Sequence, residues 1–155
     1  MTYFGPQMAP FADLGSGIRR LVAPNPSMMT GPGTNTYLFG DEEVAVLDPG
    51  PAIERHVENI VETARGAIRW VLVTHTHSDH SPGARLLAAA TGAELLGRPA
   101  PPGGRQDETF VPSRVLDDGD RRERDEADHG ADAQRHGAPV GQPEHVVEER
   151  VLLVP

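Results

Sequence analysis

Short apolar runs alternate with one clear helical repeat over the first 120 residues of the chain. Each run has the length of a β-strand, and together they predict six strands, at 18–23, 35–39, 43–48, 68–74, 93–97 and 113–120, the last running into a turn. The short polar segment Gly40–Glu42 joins the second and third runs, so those two strands are predicted to form a hairpin. The loop at 24–34 is dense in Pro and Gly.

Two helices are predicted between these strands. Residues 52–66 carry one apolar face with helical spacing and a candidate C-cap at Gly66; the face comprises Ile53, Val57, Ile60, Val61 and Ala64. Ser81 and Pro82 form an N-cap and first-turn pair for a second helix over 83–91, which Gly92 closes. Because the run at 68–74 is almost wholly apolar, it is expected to be a strand buried on both faces. Strand and helix alternate, so the predicted class is α/β with a layered sheet.

The character of the chain changes after Asp120. Residues 121–145 contain one strong hydrophobe, Val140, and no aromatic residue. Such a segment cannot offset its ordering entropy by burial, although a strand-like run returns at 146–155. The predicted organisation is one domain over 1–120 and a poorly ordered tail over 121–155.

Composition narrows the functional classes. The net charge is −9, all 14 basic residues are Arg, and no basic run exists, so neither nucleic acid nor an anionic membrane is an expected partner. The absence of Cys excludes disulfides and thiolate metal sites. Neither a signal peptide nor a bilayer-spanning apolar stretch is apparent, so the expected location is the cytoplasm. The oligomeric state is left open.

Four ligand-type residues follow the apolar run at 68–74: His75, His77, Asp79 and His80. In an extended turn, His75 and His77 can direct their rings toward one point. Asp79 and His80 come one turn later and can reach a second point, about 3.5–4 Å away in a two-metal site. Such a metal pair makes a hydroxide nucleophile near pH 7. The alternative is a solvated polar loop, but this ligand density directly after a buried strand favours a metal site.

The H-x-H-x-D-H pattern after a strand resembles the signature of the metallo-β-lactamase superfamily. Three blocks, at 31–40, 44–51 and 70–84, resemble its glyoxalase II-like branch in the same order, and are similar to β-lactamase-like hydrolases rather than antibiotic-degrading lactamases. The resemblance covers roughly residues 15–120. It implies the N-terminal half of an αββα sandwich, followed here by a disordered or non-native tail, with metals at the edge between the two sheets.

The resemblance assigns roles by position. His75 and His77 match ligands of the first metal, and Asp79 and His80 match ligands of the second, with Asp79 also the candidate catalytic residue. Two Zn²⁺ ions are implied for an intact site, with iron or manganese as alternatives. His56, on the expected polar side of the first helix, is not counted as a ligand.

Residues upstream of the motif also match the family. Asp48 matches an aspartate near the metal loop, either as a partner that orients a ligand imidazole or as a simple turn residue before Pro49. Gly33, Thr34 and Asn35 match a loop beside the site, although Thr34 and Asn35 are equally explained as turn formers.

The family pattern fails after residue 120. It requires three further ligands, and the chain has none of them in recognisable form. His129 and His136 lie at about the right distance for the first, and His145 is weaker; all three are expected to be solvated. Residues 148–153 resemble the strand that leads into a later family ligand. A frameshift in a GC-rich gene would produce such a tail, so residues from about 121 onward are hypothesised not to encode a native second half.

Three functions follow from the resemblance. The first is a metal-dependent hydrolase, in which metal-bound hydroxide attacks an ester, thioester or similar bond of a small-molecule substrate. The second is an inactive truncated remnant that lacks the second-half ligands. The third is a mononuclear-iron sulfur dioxygenase. A nuclease role has no basic groove in its favour.

Overall fold

The computed structural model describes residues 10–104 and 106–120. The chain divides into two units, Met1–Leu116 and Asp117–Pro155, so the predicted domain boundary at residue 120 remains a prediction. The predicted tail at 121–155, including His129, His136 and His145, lies outside the described residues. The elements of the first unit are β1 Phe11–Gly15, β2 Ile18–Val22, β3 Asn35–Phe39, β4 Glu43–Leu47, α1 Glu54–Thr63, β5 Ala67–Leu72, α2 Pro82–Thr91, β6 Glu94–Gly97 and β7 Arg114–Val115.

The seven strands form one sheet in the order of the chain. Strands β1 to β4 pair antiparallel, whereas β4–β5, β5–β6 and β6–β7 pair parallel. Helix α1 connects β4 to β5 and α2 connects β5 to β6, as crossovers between parallel strands, whereas residues 98–113 lead from β6 to β7. The predicted hairpin over 35–48 and the α/β class are therefore confirmed. The strand predicted at 113–120 is reduced to Arg114–Val115, and β1 was not predicted.

The first helix is shorter than the periodicity predicted. Its N-cap is Ile53 and its C-cap is Ala64, both with extended backbone, so the predicted C-cap at Gly66 is wrong. Gly66 is instead needed where the chain passes the backbone of Glu42, because a Cβ there would overlap the Glu42 carbonyl oxygen. In the described residues, no helix is long and apolar enough to cross a membrane.

The second helix begins and ends where predicted, with Pro82 in its first turn and Gly92 as a left-handed C-cap. Ser81 occupies the N-cap position, but its side chain makes no capping hydrogen bond. Its hydroxyl donates to Asp107 instead.

The core lies on the face of the sheet that the helices cover. Its members are buried aliphatic side chains that alternate along the strands and line the helices, including Leu38, Val44, Val46, Ile60, Val71 and Leu87. Strand β5 is buried on this face alone: Ile68 and Val71 are buried, while Trp70 and Leu72 on the other face are half-buried. The prediction that this strand is buried on both faces is therefore wrong.

Helix α1 buries a different stripe from the predicted one. Val61, predicted on the apolar face, is 41% exposed, whereas His56, predicted on the polar side, is 1% exposed. The buried residues of α1 are His56, Val57 and Ile60. His56 lies four positions and Val57 three positions before Ile60, so the three side chains lie on one side of the helix. The hydrophobic periodicity placed the helix correctly, but the face turned to the core is rotated toward the histidine.

Burial of His56 predicts that stability depends on pH. Burial lowers the pKa of His56 below its ordinary value of 6.5, because the charged ring loses its hydration. Below pH 6.5 the unfolded chain therefore binds a proton that the folded chain does not, so the free energy of unfolding falls as the pH is lowered through this window. Urea midpoints of the metal-free chain at pH 7.5, 6.5 and 5.5 measure the slope. Part of it should disappear in His56→Gln; an unchanged slope in that variant would contradict the assignment.

Candidate metal centre

The loop that carries the ligand-type residues begins where β5 ends and finishes at the first turn of α2. Asp48 follows directly on β4, the parallel neighbour of β5. Because parallel strands place their carboxyl ends at the same edge of a sheet, Asp48 and the loop meet there. Backbone hydrogen bonds join them: the Asp48 amide donates to Leu72 O, and the Gly50 amide donates to His80 O.

Three imidazoles lie together in this loop. The ring centroid of His75 is 4.6 Å from that of His77 and 4.1 Å from that of His80. The carboxylate Oδ2 of Asp79 is 3.5 Å from His80 Nε2. His75 and His77 are exposed, whereas Asp79 and His80 are half-buried. The structure therefore places all four of the predicted ligands in one cluster at the sheet edge.

Asp48 is the anchor beneath this cluster. Its Oδ1 accepts a hydrogen bond from the Thr74 amide at 2.8 Å, and its Oδ2 accepts one from Thr74 Oγ1 at 2.8 Å. The same Oδ2 lies 3.0 Å from His80 Nδ1. An ionised carboxylate only accepts, so His80 donates from Nδ1, and its Nε2 is left as the lone-pair nitrogen of the neutral ring. This carboxylate–histidine pair is the arrangement that orients metal-binding imidazoles in proteins.

The same logic fixes the tautomer of His75. Its Nδ1 lies 3.0 Å from Thr74 Oγ1. Because the single hydroxyl proton of Thr74 is given to Asp48, His75 must donate from Nδ1, which again leaves Nε2 as the acceptor. Asp48 thus acts on two neighbouring rings, on one directly and on the other through Thr74.

The two rings differ in basicity. The hydrogen bond to Asp48 raises the pKa of His80, against the opposing effect of burial. Burial lowers the pKa of His75, and the positive charges of protonated His80 and His77 lower it further. A neutral imidazole is the form that binds a metal, so His75 is the better prepared of the two.

The donor set suits a divalent metal only in part. Imidazole nitrogen and carboxylate oxygen are ordinary zinc ligands, and two of the rings are held with Nε2 free. Over residues 10–104 and 106–120, however, no group of three or more His, Asp or Glu side chains is arranged to hold one ion. A catalytic zinc keeps three protein ligands. The described part of the chain therefore does not by itself supply the three protein ligands of a catalytic zinc.

A second segment holds the loop from the opposite side. Ser81 Oγ donates to Asp107 Oδ2 at 2.7 Å, and Thr76 Oγ1 donates to Gln106 Oε1 at 2.8 Å. The Asp107 amide donates to Thr76 O. Burial would raise the pKa of Asp107, but hydrogen bonds from Thr109 and Ser81 outweigh it and lower the pKa. The sequence motif did not reveal Gln106 and Asp107; an Asp two positions before Thr109 signals a local turn, but nothing in the pattern points to Ser81.

An open cleft of about 320 Å³ lies beside Asp79 and His80. Its other walls come from the loop before β3, from β3 itself and from the residue after β4: Met29, Thr30, Gly33, Thr34, Asn35, Tyr37 and Asp48. Thr34 is buried, and it forms two hydrogen bonds with the side chain of Asn25, a residue that the sequence did not single out: the Thr34 amide donates to Asn25 Oδ1, and the Thr34 hydroxyl accepts from Asn25 Nδ2. The loop residues matched at the sequence level thus line the cleft, and Thr34 also fixes the shape of the loop.

Comparison with known proteins gives a consistent result. A family model described as the metallo-beta-lactamase superfamily matches residues 29–151. The beta-lactamase-like protein 2 homolog of Drosophila melanogaster is 35% identical over 86 residues, which cover 52% of this chain and 30% of that protein. The hydroxyacylglutathione hydrolase of Acidiphilium cryptum is 39% identical over 75 residues, 47% of this chain and 30% of that protein. The chain thus spans less than a third of the length of these two relatives.

Solved structures show the same likeness in three dimensions. A metallo-beta-lactamase from Novosphingobium pentaromativorans superposes with a TM-score of 0.52 and 27% identity, over 72% of this chain and 45% of that one. A second metallo-beta-lactamase, from a soil metagenome library, gives a TM-score of 0.55 at 16% identity, over 72% and 47% of the two chains. The sheet and its two helices therefore have the fold found in part of those enzymes.

Proposed function

Because this chain belongs to the metallo-beta-lactamase superfamily, we propose that it carries the ligand loop of a metal-dependent hydrolase. His75 and His77 bind one divalent ion, with zinc the favoured metal. Asp79 and His80 bind the second. Asp48 holds the ring of His80 in place from behind, and a small molecule with an ester, thioester or similar bond is the substrate.

One observation carries this proposal: Asp48 and Thr74 leave Nε2 of both His75 and His80 free in rings 4.1 Å apart. A solvated polar loop would have no reason to control two tautomers with one buried carboxylate. Two adjacent, neutral, lone-pair nitrogens beside the Asp79 carboxylate are the donors that a divalent ion requires. Within this loop, the Asp79 carboxylate lies 3.5 Å from His80 Nε2, so a ligand oxygen stands beside one of these nitrogens.

The chemistry follows from these residues. A bound divalent ion supplies a water nucleophile at neutral pH and polarises the oxygen of the bond being cleaved. Asp48 keeps the donor nitrogen of His80 fixed, and the segment at Gln106 and Asp107 keeps the loop from moving away from the sheet. The cleft beside Asp79 and His80 gives a small substrate access. One relative bears the name hydroxyacylglutathione hydrolase, which supports an acyl compound as the substrate class.

A second candidate, a chain that binds metal poorly and does not catalyse, is favoured by a different observation. Among the described residues, no three His, Asp or Glu side chains are arranged to hold one ion, whereas a catalytic zinc keeps three protein ligands. The missing ligands would have to come from residues outside 10–104 and 106–120, or from another molecule. The cytoplasmic location, the small-molecule substrate and the sulfur dioxygenase alternative remain predictions from the sequence.

Metal reconstitution tests these candidates. The full chain is stripped with a chelator, incubated separately with Zn²⁺, Mn²⁺ and, without oxygen, Fe²⁺, desalted, and analysed for metal content and hydrolysis of a chromogenic thioester. We expect between one and two zinc ions per chain, lost in His75→Ala. Failure of the unmodified chain to retain any of the three metals would refute the proposal. Little or no zinc retained, without turnover, supports the second candidate, and retention of iron in preference to zinc supports the dioxygenase.

Two further variants locate the missing ligands. His129→Ala and His136→Ala remove the tail imidazoles that lie nearest the expected distance from the motif. Zinc content should be unchanged in both if the tail histidines are solvated, as the sequence predicts. Loss of zinc in either variant identifies that histidine as a ligand.

A further inference from the structure

One buried imidazole takes no part in the proposed metal site. His56 is 1% exposed on α1, and its Nε2 lies 3.0 Å from Thr36 Oγ1 on β3. Thr36 is itself fully buried, and its hydroxyl donates to the backbone carbonyl of Asp48 at 2.7 Å. His56, Thr36 and Asp48 therefore form a continuous hydrogen-bonded chain from the helix, through the sheet, to the turn that anchors the metal loop.

The direction of this chain is determined by proton count. A threonine hydroxyl has one proton, and the Asp48 carbonyl can only accept, so the Thr36 proton goes to Asp48. The contact between Thr36 Oγ1 and His56 Nε2 then requires His56 to donate. The His56 ring is thus held as the Nε2–H tautomer, and each link depends on the one before it.

The turn at Asp48, where this series of hydrogen bonds ends, has an unfavourable backbone conformation. Asp48 is a non-glycine residue with φ of 50°, in the left-handed region that costs most L-residues energy. In this conformation its carboxylate reaches both Thr74 and His80. If φ relaxed to negative values, the carboxylate would swing away from both partners. The position of the Asp48 carboxylate therefore depends on the backbone at this residue, and the Thr36 hydroxyl holds that backbone through its hydrogen bond to the Asp48 carbonyl.

His56 also contacts the far end of the same turn. A Cβ built on Gly50 would lie 3.4 Å from His56 Cδ2, so the ring packs directly beneath this glycine. The Gly50 amide donates to His80 O, and the Gly50 carbonyl accepts from the Gly83 amide in the first turn of α2. The His56 ring therefore packs against Gly50 at one end of the segment 48–50 and is linked through Thr36 to Asp48 at the other end.

We infer that His56 and Thr36 are positioning residues for the metal loop, acting on His80 through the backbone of Asp48. This inference rests on the proposed function for its purpose, but the coupling itself is a property of the metal-free chain. A histidine that merely fills the core would be replaceable by any apolar side chain of similar volume. A positioning histidine is replaceable only by a side chain that donates a hydrogen bond at the place of Nε2.

The test compares paired variants. Thr36→Val and His56→Leu keep the side-chain volume but break the hydrogen-bonded series from His56 through Thr36 to Asp48. Thr36→Ser keeps the hydroxyl, and His56→Gln keeps a donor near the position of Nε2. Ile60→Val, on the same buried side of α1, is the control for general loosening of the core. Two readouts are used on the full chain: long-range ¹H–¹⁵N spectra of the metal-free imidazoles, which report the His80 tautomer, and zinc affinity by competition with a chromophoric chelator.

We expect His80 to be an Nδ1–H tautomer in the unmodified chain and in Thr36→Ser, His56→Gln and Ile60→Val. Thr36→Val and His56→Leu should show a mixture of His80 tautomers and a zinc dissociation constant raised about tenfold, the lower end of what loss of a ligand's own partner causes.

The inference would be overturned if Thr36→Val and His56→Leu showed the same His80 tautomer as the unmodified protein. It would also be overturned if Thr36→Ser and His56→Gln lost zinc affinity and tautomer control to the same extent. If Thr36→Val does not fold, the His56→Leu and His56→Gln pair decides. If the unmodified chain binds no zinc, the proposed function fails, and the tautomer readout alone decides this inference.

Discussion

Asp48→Asn is expected to lower zinc affinity about 10- to 100-fold, the usual loss when the partner of a metal-binding histidine is removed. Asn has nearly the same volume as Asp and tolerates the φ of 50° at this position, so the backbone turn is kept. The amide has one accepting oxygen where the carboxylate has two. With that oxygen on the Thr74 amide, the NH₂ group faces His80 Nδ1, and the ring must then carry its proton on Nε2, which blocks the metal-binding nitrogen.

The same substitution should destabilise the metal-free chain. Asp48 is buried and its carboxylate accepts three hydrogen bonds, two of which the single amide oxygen of Asn cannot also accept, so a loss of about 1–3 kcal/mol is expected. The pKa of His80 should fall toward that of a buried imidazole, because the hydrogen bond that raises it is gone. Zinc competition, urea unfolding and NMR titration of His80 measure the three effects.

Two variants separate the causes. Asp48→Ala removes the same acceptors and adds the strain of a positive φ, so it should be less stable than Asp48→Asn by about 1 kcal/mol. Thr74→Val removes the hydroxyl that orients His75 but keeps the Asp48 carboxylate on His80. The role assigned to Asp48 would be wrong if Asp48→Asn bound zinc as tightly as the unmodified chain does.

Gly33→Ala is expected to lower the free energy of unfolding by more than about 3 kcal/mol. Losses of this size arise from a few specific causes, among them steric overlap and backbone strain in the folded chain. Gly33 has φ of 147°, a conformation that only glycine adopts readily, and a Cβ here would overlap the carbonyl oxygen of Ala23. That carbonyl belongs to a rigid turn, because the Ala23 amide donates to Thr34 O and its oxygen accepts from the Asn25 amide. The backbone cannot move aside without opening the end of the β2–β3 ladder, and one wall of the cleft would be lost with it.

Gly31→Ala is the matched control for this substitution. Gly31 lies in the same loop, also with positive φ, at 59°, but a Cβ there would meet no atom within 4 Å. It should therefore cost only the conformational penalty of about 1 kcal/mol. Urea unfolding of both variants gives the difference, which isolates the overlap at Gly33. Equal losses in the two variants would show that the loop yields, and that Ala23 does not constrain it.

The parts of the site that the sequence predicted correctly are those set by local spacing. The H-x-H-x-D-H motif, the strand before it and the helix opened by Ser81 and Pro82 lie within 24 consecutive residues, where backbone geometry relates the side chains directly. The α/β class followed from the alternation of apolar runs with a helical repeat, and the comparisons confirm both the class and the family. The expectation that Asp48 orients an imidazole matches its contact with His80, although the metal-binding roles remain predictions.

The parts that were missed depend on tertiary partners. His56 looked solvent-facing because its polarity outweighed its position four residues before Ile60, which was the only hint of burial. Its partner Thr36 comes from another element, 20 positions away. Gln106 and Asp107 follow a loop rich in Pro and Gly, and only the folded chain brings them to Ser81 and Thr76. Strand β1 escaped detection because its exposed residues lack an alternating pattern.

The hydrogen bonds that hold the metal loop have a kinetic consequence. Each joins residues 26 to 32 positions apart: Asp48 reaches Thr74 after 26 positions and His80 after 32, and Ser81 reaches Asp107 after 26. Because the entropy cost of closing a loop grows only slowly with its length, these contacts do not depend on more distant segments of the chain. The contacts of Asp48 with Thr74 and His80 can therefore form as soon as β4, α1, β5 and α2 have emerged during synthesis. The contact between Ser81 and Asp107 follows once the segment after β6 has emerged.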